Sequence, residues 1–479
     1  MKFFVMTLGC KVNQYETQAV TNILVSRGHE LTQADNGCDV CIINTCTVTA
    51  ESARKSRQAI RRIKKTAPDA IVAVCGCLSQ LEPETAVMLG ADLVGGSADR
   101  YKFAIEVEKL FAERVADAAQ GRSDATGVFA DKKEAGESEE AGETAQSSYD
   151  RGAERQTKTV TGISDERYVI EHLPPGAENR SDSGSQPSSL KRTRALLKIQ
   201  DGCDNYCAYC VIPYARGHAR SLPVETAAEY ARRIGAQGFR EIVVTGIEIS
   251  SYGKDLEGKP ALTDVLRAIS GAAPDARIRI GSLDPRVVTE KFCQELSDIA
   301  NLCDHFHLSL QSGCDETLRR MGRKYDTDAV KEGISSLLRR FPGSGITADL
   351  ITGFPGETDG EFKHTMEFIK TVSFSDMHIF PFSRRPGTFA AIMPGQIEKS
   401  IVRERASIAA AVAMKMAYGF RKSMVGKTVE VLFERERGGY WTGHSGNYIE
   451  VSVKNGGERN SVRPVRITNV ENGYVWGEL

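Results

Sequence analysis

The chain has 479 residues, with 62 Lys and Arg against 63 Asp and Glu, and a formal net charge of −1 at pH 7. This length exceeds a single ordinary hydrophobic core, so two or three domains are expected. The near-zero charge excludes a positive field over the whole molecule, and any nucleic-acid-binding surface must be a local patch.

The sequence carries no sign of a membrane span or of secretion. No run of about 18 apolar residues occurs, and the opening KFFVMTLGC reads as a strand rather than a signal peptide. We therefore expect a cytoplasmic protein without a membrane contact. The 12 cysteines of a protein in a reducing compartment are expected to be buried thiols, metal ligands or redox centres.

The first part of the chain, 1–117, alternates strand and helix patterns. Apolar runs begin at Phe3, Asp39 and Ala70, and amphipathic helical patterns at 16–27 and 52–65 lie between them. This order predicts a doubly wound parallel sheet.

The next segment, 118–189, is rich in Ser, Gly, Glu and Ala and cannot bury enough apolar surface, so we predict a low-complexity linker.

Residues 190–423 form a second strand and helix series. Its strand patterns are ALLKIQ, EIVVTG, RIRIGS, FHLSLQSG, GITADLITG and MHIFPFS. Six strands are too few for a closed eight-stranded barrel, so this α/β series predicts a partial (β/α)6 barrel that is open on one side. The last residues, 424–479, read as short strands with Gly-rich turns, KTVEVLFE, YIEVSVK, RPVRITNVE and YVWGEL, and predict a small β-barrel.

Three cysteines, Cys203, Cys207 and Cys210, follow directly on the first strand of the second series. Barrels of this kind bind ligands on the loops that follow their strands. Three thiolates at this spacing suit a 4Fe-4S cluster whose fourth iron stays open for a small cofactor. The alternative is a zinc site of three cysteines with His218 as the fourth ligand.

Cys10, Cys46 and Cys77 each lie just past the carboxyl end of one N-terminal strand. Adjacent parallel strands lie about 5 Å apart, so these three thiols can converge on a second cluster-sized site. The alternative is that they are ordinary buried cysteines. Cys75 competes for the third position, but Cys77 is preferred because it lies on the loop.

The remaining cysteines are predicted to be structural thiols. Cys38 and Cys41 resemble a Cys-x2-Cys pair, but Cys41 lies inside a strand pattern. Cys293, Cys303 and Cys314 lack mutual spacing.

The motifs together resemble the radical S-adenosylmethionine (SAM) methylthiotransferase family over nearly the whole chain except the linker. They are LGCKVNQYE, NTCTV, GCLSQ, GCDNYCAYCVIPYARG, VVTGIEISSYG, FHLSLQSGCDETLRRMGRKY, TADLITGFPGET and FPFSRRPGT. The resemblance implies an N-terminal methylthiotransferase domain, a radical SAM partial barrel and a C-terminal TRAM domain. It also implies two 4Fe-4S clusters, the auxiliary one on Cys10, Cys46 and Cys77.

The resemblance implies the chemistry as well. SAM bound at the open iron of the barrel cluster would be cleaved to a 5′-deoxyadenosyl radical, with an electron from a donor such as a flavodoxin or ferredoxin. A further SAM would methylate sulfur on the auxiliary cluster, and hydrogen abstraction would allow a methylthio group to enter at an unactivated carbon.

Within this family the positions that contact the cofactor follow the barrel strands. By resemblance they are Thr245, Gly246 and Glu248 after the second strand, Ser309 and Gln311 at the end of the fourth, and Gly353, Phe354, Pro355 and Gly356 after the fifth. Each is equally compatible with turn or core roles.

The TLGCKVNQYE opening resembles the subgroup that modifies N6-threonylcarbamoyladenosine at position 37 of tRNA, in the anticodon loop. The alternatives are isopentenyladenosine in tRNA, a ribosomal-protein aspartate, or a non-catalytic RNA-binding metalloprotein.

Local basic residues are compatible with tRNA phosphates. They are Lys191, Arg192 and Arg194; Arg319, Arg320, Arg323 and Lys324; and Arg384 and Arg385. In the terminal strands Tyr440, Trp441, His444 and Tyr448 are predicted to stack on unpaired bases.

Overall fold

A computed structural model describes residues 1–120, 158–160 and 192–479, with the backbone alone at 158–160. We use three names for the parts. The N-terminal sheet comprises 1–120 and 158–160, the central barrel comprises 192–423, and the terminal barrel comprises 428–478. Where the domains begin and end stays a prediction.

The N-terminal sheet is parallel throughout, with strand order β2-β1-β3-β4-β5-β6. Its elements are β1 (Lys2–Thr7), α1 (Lys11–Ser26), β2 (Glu30–Leu31), β3 (Val40–Thr45), α2 (Ala50–Thr66), β4 (Ile71–Gly76), α3 (Cys77–Leu81), α4 (Pro83–Met88), β5 (Leu93–Gly95), α5 (Arg100–Ala119) and β6 (Lys158–Val160).

The central strands of this sheet are buried on both faces, which explains their unbroken apolar sequences. Every residue of β3 and β4 is buried, and separate apolar clusters cover the two faces. The three predicted strands are confirmed. The three additional strands are two or three residues long and give no periodic signal. β6 falls inside the predicted linker, and the rest of that linker lies almost entirely outside the described residues.

The central barrel contains the predicted strand series, confirming an α/β partial barrel. Its elements are β7 (Ala195–Asp201), α6 (Ile212–Arg216), β8 (Arg220–Ser221), α7 (Val224–Ala236), β9 (Glu241–Gly246), α8 (Leu262–Ala272), β10 (Arg277–Ile280), β11 (Ser282–Leu283), α9 (Glu290–Ser297), β12 (His305–Gln311), α10 (Asp315–Arg320), α11 (Thr327–Arg340), β13 (Gly345–Thr352), α12 (Asp359–Val372), β14 (Asp376–Pro381) and α13 (Lys399–Ser423).

The barrel wall is divided into two four-stranded sheets, β10-β9-β7-β8 and β11-β12-β13-β14. One residue, Gly281, separates β10 from β11, so a single stretch of chain runs from one sheet into the other. One hydrophobic core spans both sheets. The two sheets therefore act as one curved wall. Among the described residues, no helix has the length and apolar character needed to cross a membrane.

The terminal barrel is a closed five-stranded barrel with order β15-β16-β17-β19-β18. Its strands are β15 (Thr428–Arg437), β16 (Tyr440–Ser445), β17 (Glu450–Lys454), β18 (Val462–Glu471) and β19 (Tyr474–Glu478). Four of them match predicted strand patterns. β16, with the sequence YWTGHS, was not predicted as a strand because it lacks apolar alternation and contains Gly443.

Candidate active site

Three strand ends bring Cys10, Cys46 and Cys77 together. Cys10 directly precedes α1, Cys46 follows β3, and Cys77 opens α3 after β4. Because β1, β3 and β4 are neighbours in the sheet, their carboxyl ends lie side by side. A Cβ atom built on Gly9 would lie 2.8 Å from Cys46 Sγ, so the first two loops are in contact. The predicted convergence is confirmed, and ligation of a cluster stays a prediction.

The three thiols share an enclosed environment. Burial raises the pKa of each thiol, and the charge of another member of the triplet raises it further. Cys46 and Cys77 are buried, whereas Cys10 is exposed toward a cavity. Thiols in this state remain neutral unless a nearby positive charge, such as bound iron, favours the thiolate.

The structure separates the cysteines of this site from their competitors. Cys75 lies within β4 in the apolar cluster that contains Phe3, so it does not reach the loop edge. Cys38 and Cys41 are buried in the core, with their Sγ atoms 2.9 Å apart.

The second triplet lies on the loop between β7 and α6. Cys203 N donates to Gly217 O at 3.1 Å, and Cys210 N donates to Cys207 O at 2.9 Å. Burial raises the pKa of Cys203 to about 11 and that of Cys210 to about 12. The loop therefore holds three thiols within a few residues, and neighbouring positive charge is needed to ionise Cys203 and Cys210.

The donor set fits a cluster better than a single ion. Within the described parts of the chain, the three Sγ atoms of neither triplet all lie within 4.8 Å of one another. A four-iron cluster is larger and needs more widely spaced thiolates. His218 is 70% exposed and lies 2.6 Å from Asp204 Oδ1, so the alternative zinc site gains no support from this geometry.

Glycines with positive φ directly precede cysteines of both triplets. Gly76 precedes Cys77 with φ of 105°, and its Cβ would lie 2.4 Å from Thr45 O. Gly202 precedes Cys203 with φ of 70°, and its Cβ would lie 1.9 Å from His218 O. Side chains cannot be accommodated at either position without moving the backbone.

The loop after β9 is tied to β7 through Gln200. Gln200 Oε1 accepts from Ile247 N at 3.1 Å and from Glu248 N at 2.8 Å. The charge of Glu248 contributes to the raised pKa of Cys203, which places this carboxylate near the cysteine loop. Thr245 and Gly246 line the cavity described below. Contact of these residues with SAM stays a prediction.

The end of β12 is held by Arg323 and Tyr325. Ser309 O accepts from Arg323 Nη2 at 3.0 Å and from Tyr325 Oη at 2.9 Å. Gln311 adopts φ of 64° at a register shift between β12 and β13. Arg323 Nη1 lies 3.4 Å from Cys207 Sγ, so this arginine links the strand end to the second triplet.

The turn after β13 packs against the cysteine loop. Gly353 N donates to Glu357 Oε2 at 3.1 Å, and Pro355 is buried in the same turn. Phe354 is fully buried and packs in an apolar cluster with Ala208 of the cysteine loop. The Phe354 side chain therefore acts in packing, and contact of this turn with SAM stays a prediction.

A buried ion cluster joins the N-terminal sheet to the central barrel. Arg216 of α6 lies at its centre and donates to Glu16 Oε1 at 2.6 Å, to Asp201 Oδ1 at 3.0 Å and to Asn13 Oδ1 at 2.8 Å. Its Nε lies 3.3 Å from Cys77 Sγ. The same guanidinium therefore contacts both regions and a cysteine of the first triplet.

The charges in this cluster stabilise one another. Burial alone raises the pKa of the Glu16 carboxyl, but Arg100, Arg216 and Lys198 outweigh it and hold the pKa well below its usual value. Glu16 and Arg216 side chains are 0% and 1% exposed. Removal of one partner would leave a buried charge without full compensation.

A cavity of about 960 Å³ opens between the three regions. Its lining includes Cys10 and Cys46 of the N-terminal sheet, Thr245 of the central barrel, and Tyr448 and Tyr474 of the terminal barrel. Cys10 and Cys46 of the first triplet and Thr245 and Gly246 at the end of β9 therefore face one shared space. A separate cavity of about 1000 Å³ contains no cysteine of either triplet.

The structure buries the side chains of two of the basic residues that the sequence offered for tRNA phosphates. Arg323 pairs with Asp284 Oδ2 at 3.0 Å with 7% of its side chain exposed, and Arg385 is buried and donates to Thr47 Oγ1. Neither arginine is available to a phosphate in this arrangement, because acidic or hydroxyl groups distant in sequence engage them. Arg320 forms a two-bond pair with Glu361 at 2.8 and 2.7 Å.

The other predicted basic contacts are placed as follows. Arg192 bonds Gln14, Arg194 pairs with Glu434, Arg319 pairs with Glu316, Arg384 bonds Ala391 O, Lys324 is exposed, and Lys191 lies outside the described residues.

The predicted stacking residues have different environments. Tyr448 stacks between His305 and His444, with ring centroids 4.5 and 4.9 Å apart, so two protein rings flank it. Trp441 packs beside Gly457. Tyr440 is 38% exposed and lies 5.3 Å from Trp476.

Two family models match parts of the chain, and curated relatives match nearly all of it. A model described as the Radical SAM superfamily matches residues 197–369, and one described as Uncharacterized protein family UPF0004 matches residues 2–95. The "Threonylcarbamoyladenosine tRNA methylthiotransferase MtaB" of Bacillus subtilis is 32% identical, covering 98% of this chain and 94% of that protein.

A second relative carries a different substrate in its name. The "tRNA-2-methylthio-N(6)-dimethylallyladenosine synthase" of Bacillus subtilis is 29% identical, covering 91% of this chain and 76% of that protein. Among solved structures, the radical S-adenosylmethionine methyltransferase TsrM of Kitasatospora setae has a TM-score of 0.51 at 16% identity, covering 80% of this chain and 74% of that one. This likeness concerns the fold alone.

We expect Gly76→Ala to destabilise the N-terminal sheet. Gly28 offers a matched control, since it has φ of 89° and nothing within 4 Å of a built Cβ. Gly28→Ala should cost about 1–2 kcal/mol through its backbone conformation, and Gly76→Ala about 1–3 kcal/mol more through the clash with Thr45 O. Chemical denaturation compares the two, and equal midpoints would contradict the steric role.

Arg216→Met should destabilise the junction between the first two regions. The change leaves Glu16 and Asp201 undercompensated inside the protein, at a cost of about 3–5 kcal/mol. Arg54→Met is the control, because Arg54 forms an exposed pair with Glu51 and its loss should barely move the denaturation midpoint. Similar midpoints for the two variants would show that the buried cluster contributes little to stability.

Proposed function

The chain belongs to the radical SAM methylthiotransferases that act on tRNA, and we propose that it converts N6-threonylcarbamoyladenosine in tRNA to its 2-methylthio derivative. The proposal draws on the 32% identity to a threonylcarbamoyladenosine tRNA methylthiotransferase that covers 94% of that relative. Its physical basis is the arrangement of the site.

The observation that carries the proposal is the shared cavity. Cys10 and Cys46 line it together with Thr245 and Gly246. Sulfur insertion at an unactivated carbon requires hydrogen removal and sulfur delivery at the same substrate. The cysteines of the auxiliary site and the proposed SAM contacts must therefore reach one shared space. A protein with two isolated structural metal sites would not need such an arrangement.

We assign the cluster ligands by triplet. Cys203, Cys207 and Cys210 would hold one 4Fe-4S cluster, and Cys10, Cys46 and Cys77 would hold the auxiliary cluster. When bound, the clusters and SAM supply one-electron chemistry and methyl transfer.

Two arginines contact the cysteine triplets. Arg323 Nη1 lies 3.4 Å from Cys207 Sγ, and Arg216 Nε lies 3.3 Å from Cys77 Sγ, where its charge opposes the rise in the Cys77 pKa that burial causes. Gln200 fixes the backbone after β9, which orients Thr245, Gly246 and Glu248 toward their proposed SAM contacts. These residues position and stabilise the reacting groups.

We propose the anticodon loop of tRNA as the macromolecular partner. Tyr474 lines the cavity, is 62% exposed and lies 6.4 Å from Trp476, which in turn lies 5.3 Å from Tyr440. Aromatic rings at a cavity edge suit unpaired bases. The proposal also requires an electron donor such as a flavodoxin or ferredoxin, and a tRNA substrate favours the cytoplasm.

The principal competing substrate is dimethylallyladenosine in tRNA. Its support is the 29% identity to the relative named for that product. The two substrates differ in the group on the adenine, which is polar and carries a carboxylate in one case and is apolar in the other. The polarity of the side chains that line the cavity therefore distinguishes the two substrates.

Expression in a bacterial host that lacks its own threonylcarbamoyladenosine methylthiotransferase tests the proposal. Mass spectrometry of tRNA nucleosides should detect the 2-methylthio derivative of threonylcarbamoyladenosine with the wild-type chain. Cys203→Ala should abolish it, because the barrel cluster would lose a ligand. A methylthio group found solely on dimethylallyladenosine would contradict the proposed substrate.

Iron content tests the two ligand triplets. Anaerobically reconstituted protein should hold about eight irons per chain, and replacement of Cys10, Cys46 and Cys77 by Ala should lower this to about four. Cys293→Ala is the control, because Cys293 is buried in the central core and should not affect iron. About four irons in the wild type, unchanged in the triple variant, would exclude the auxiliary site.

A further inference from the structure

Three neighbouring strands place His307, Asp349 and His378 on one wall of the shared cavity. In the strand register Asp349 lies opposite His378, and His307 lies opposite Thr347. Residues two apart on a strand share a face, so all these side chains project from the same side of the sheet. We call His307, Asp349 and His378 the polar ridge.

The polar ridge is internally bonded but leaves two polar atoms open. His307 Nε2 and His378 Nδ1 lie 3.2 and 3.3 Å from the same atom, Asp349 Oδ1. Within the described residues, Asp349 Oδ2 and His378 Nε2 have no hydrogen-bond partner. Asp349 Oδ2 is an acceptor, and His378 Nε2 is a donor when the imidazole is protonated, because Nδ1 faces Asp349.

Thr347 holds the inner end of the ridge. Its Oγ1 lies 2.8 Å from His307 Nδ1 and 3.0 Å from His305 Nε2. His305 and Thr347 are buried, whereas the side chain of His378 is 64% exposed. The ridge is therefore anchored in the protein at His307 and accessible to a ligand at His378.

The charges of the ridge suit a polar ligand. Burial alone raises the pKa of Asp349, but the bonds from His307 and His378 outweigh it and bring the pKa to about 2. The hydrogen bond to Asp349 raises the pKa of His378. Lys11 and Arg421 also line the cavity, together with the acids Asp376 and Glu450, and Arg421 lies 3.6 Å from Asp376. A ligand that enters the cavity thus meets groups of both charges, and the ridge offers it a histidine beside an ionised acid.

We propose that the polar ridge binds the amino-acid arm of the substrate adenosine. Protonated His378 donates through Nε2 to the arm's carboxylate, and Asp349 Oδ2 accepts from its hydroxyl or amide N–H. This assignment rests on the proposed function, since it takes the threonylcarbamoyl group as the ligand. It adds the subsite that distinguishes a carboxylate-bearing adenosine from one with an apolar arm.

The same geometry disfavours the apolar arm. A dimethylallyl group offers no hydrogen bond, so its binding would remove water from Asp349 and His378 without replacing those bonds. The ridge therefore selects against one substrate as well as for the other.

The test is a binding assay on cluster-loaded protein. The probes are three anticodon stem-loop RNAs of the same sequence, in which the target adenosine is unmodified, threonylcarbamoylated or dimethylallylated. The variants are His378→Ala and Asp349→Asn. The control is His364→Ala, because His364 is exposed on α12 and does not line the cavity. Iron content and circular dichroism verify that each variant is folded and loaded.

His378→Ala should weaken binding of the threonylcarbamoylated RNA about ten- to a hundredfold, with the unmodified RNA unaffected. Asp349→Asn should act in the same direction, and His364→Ala should change none of the three affinities. Equal weakening of all three RNAs would overturn the assignment, because it would indicate a contact to the RNA backbone.

A divalent cation is the other possible occupant, since the ligand atoms of the three side chains lie within 4.8 Å of one another. The assay is therefore run with EDTA and with added Mn²⁺. Preference for the threonylcarbamoylated RNA that survives EDTA supports direct contact. Preference that disappears in EDTA and returns with Mn²⁺ would overturn it in favour of a bound ion.

Turnover by the wild-type protein separates this inference from the proposed function. Methylthiolation of the dimethylallylated RNA alone would reject the proposed function. Methylthiolation of the threonylcarbamoylated RNA, with its binding preference intact in His378→Ala and Asp349→Asn, would reject the ridge alone.

Discussion

The structure depends on the pairing of buried carboxylates with arginines across region boundaries. Glu16 of the N-terminal sheet has no exposed surface and meets Arg216 of the central barrel at 2.6 Å. A buried carboxylate is costly unless it is fully compensated, so alternative orientations of the two regions are penalised. The same arginine reaches Cys77, and the first triplet is thereby held against the segment that carries the second.

The terminal barrel is attached by the same means. Glu241 at the start of β9 is fully buried and pairs with Arg279 at 2.8 Å. Arg279 then donates to Ser445 O and Gly446 O of the terminal barrel at 3.0 and 2.8 Å. Both junctions thus use a buried glutamate to fix an arginine whose remaining N–H groups hold another region. The two junctions set the relative positions of the N-terminal sheet, the central barrel and the terminal barrel, which together line the cavity.

Much of the fold and the two triplets could be predicted, because they follow from local pattern. Apolar runs identified the long strands, and the parallel order placed Cys10, Cys46 and Cys77 at one sheet edge. The roles of Arg216 and Arg323 were not predicted, since their partners lie far away in sequence. The polar ridge was missed for a similar reason, because the alignment of His307, Asp349 and His378 depends on strand register. A basic cluster in the sequence likewise does not reveal which arginines are already paired.

The cavity is lined by three parts of the chain that carry different proposed roles. The thiols that would deliver sulfur lie in the N-terminal sheet, the ridge lies on β12 to β14, and the aromatic rim lies in the terminal barrel. A substitution in one lining leaves the other two in place, provided that the glutamate and arginine junctions are retained. On the proposed assignments, acceptance of a different substrate arm depends on one sheet face, whereas acceptance of a different RNA depends on the rim. The chemistry and the choice of substrate are thus set by different side chains.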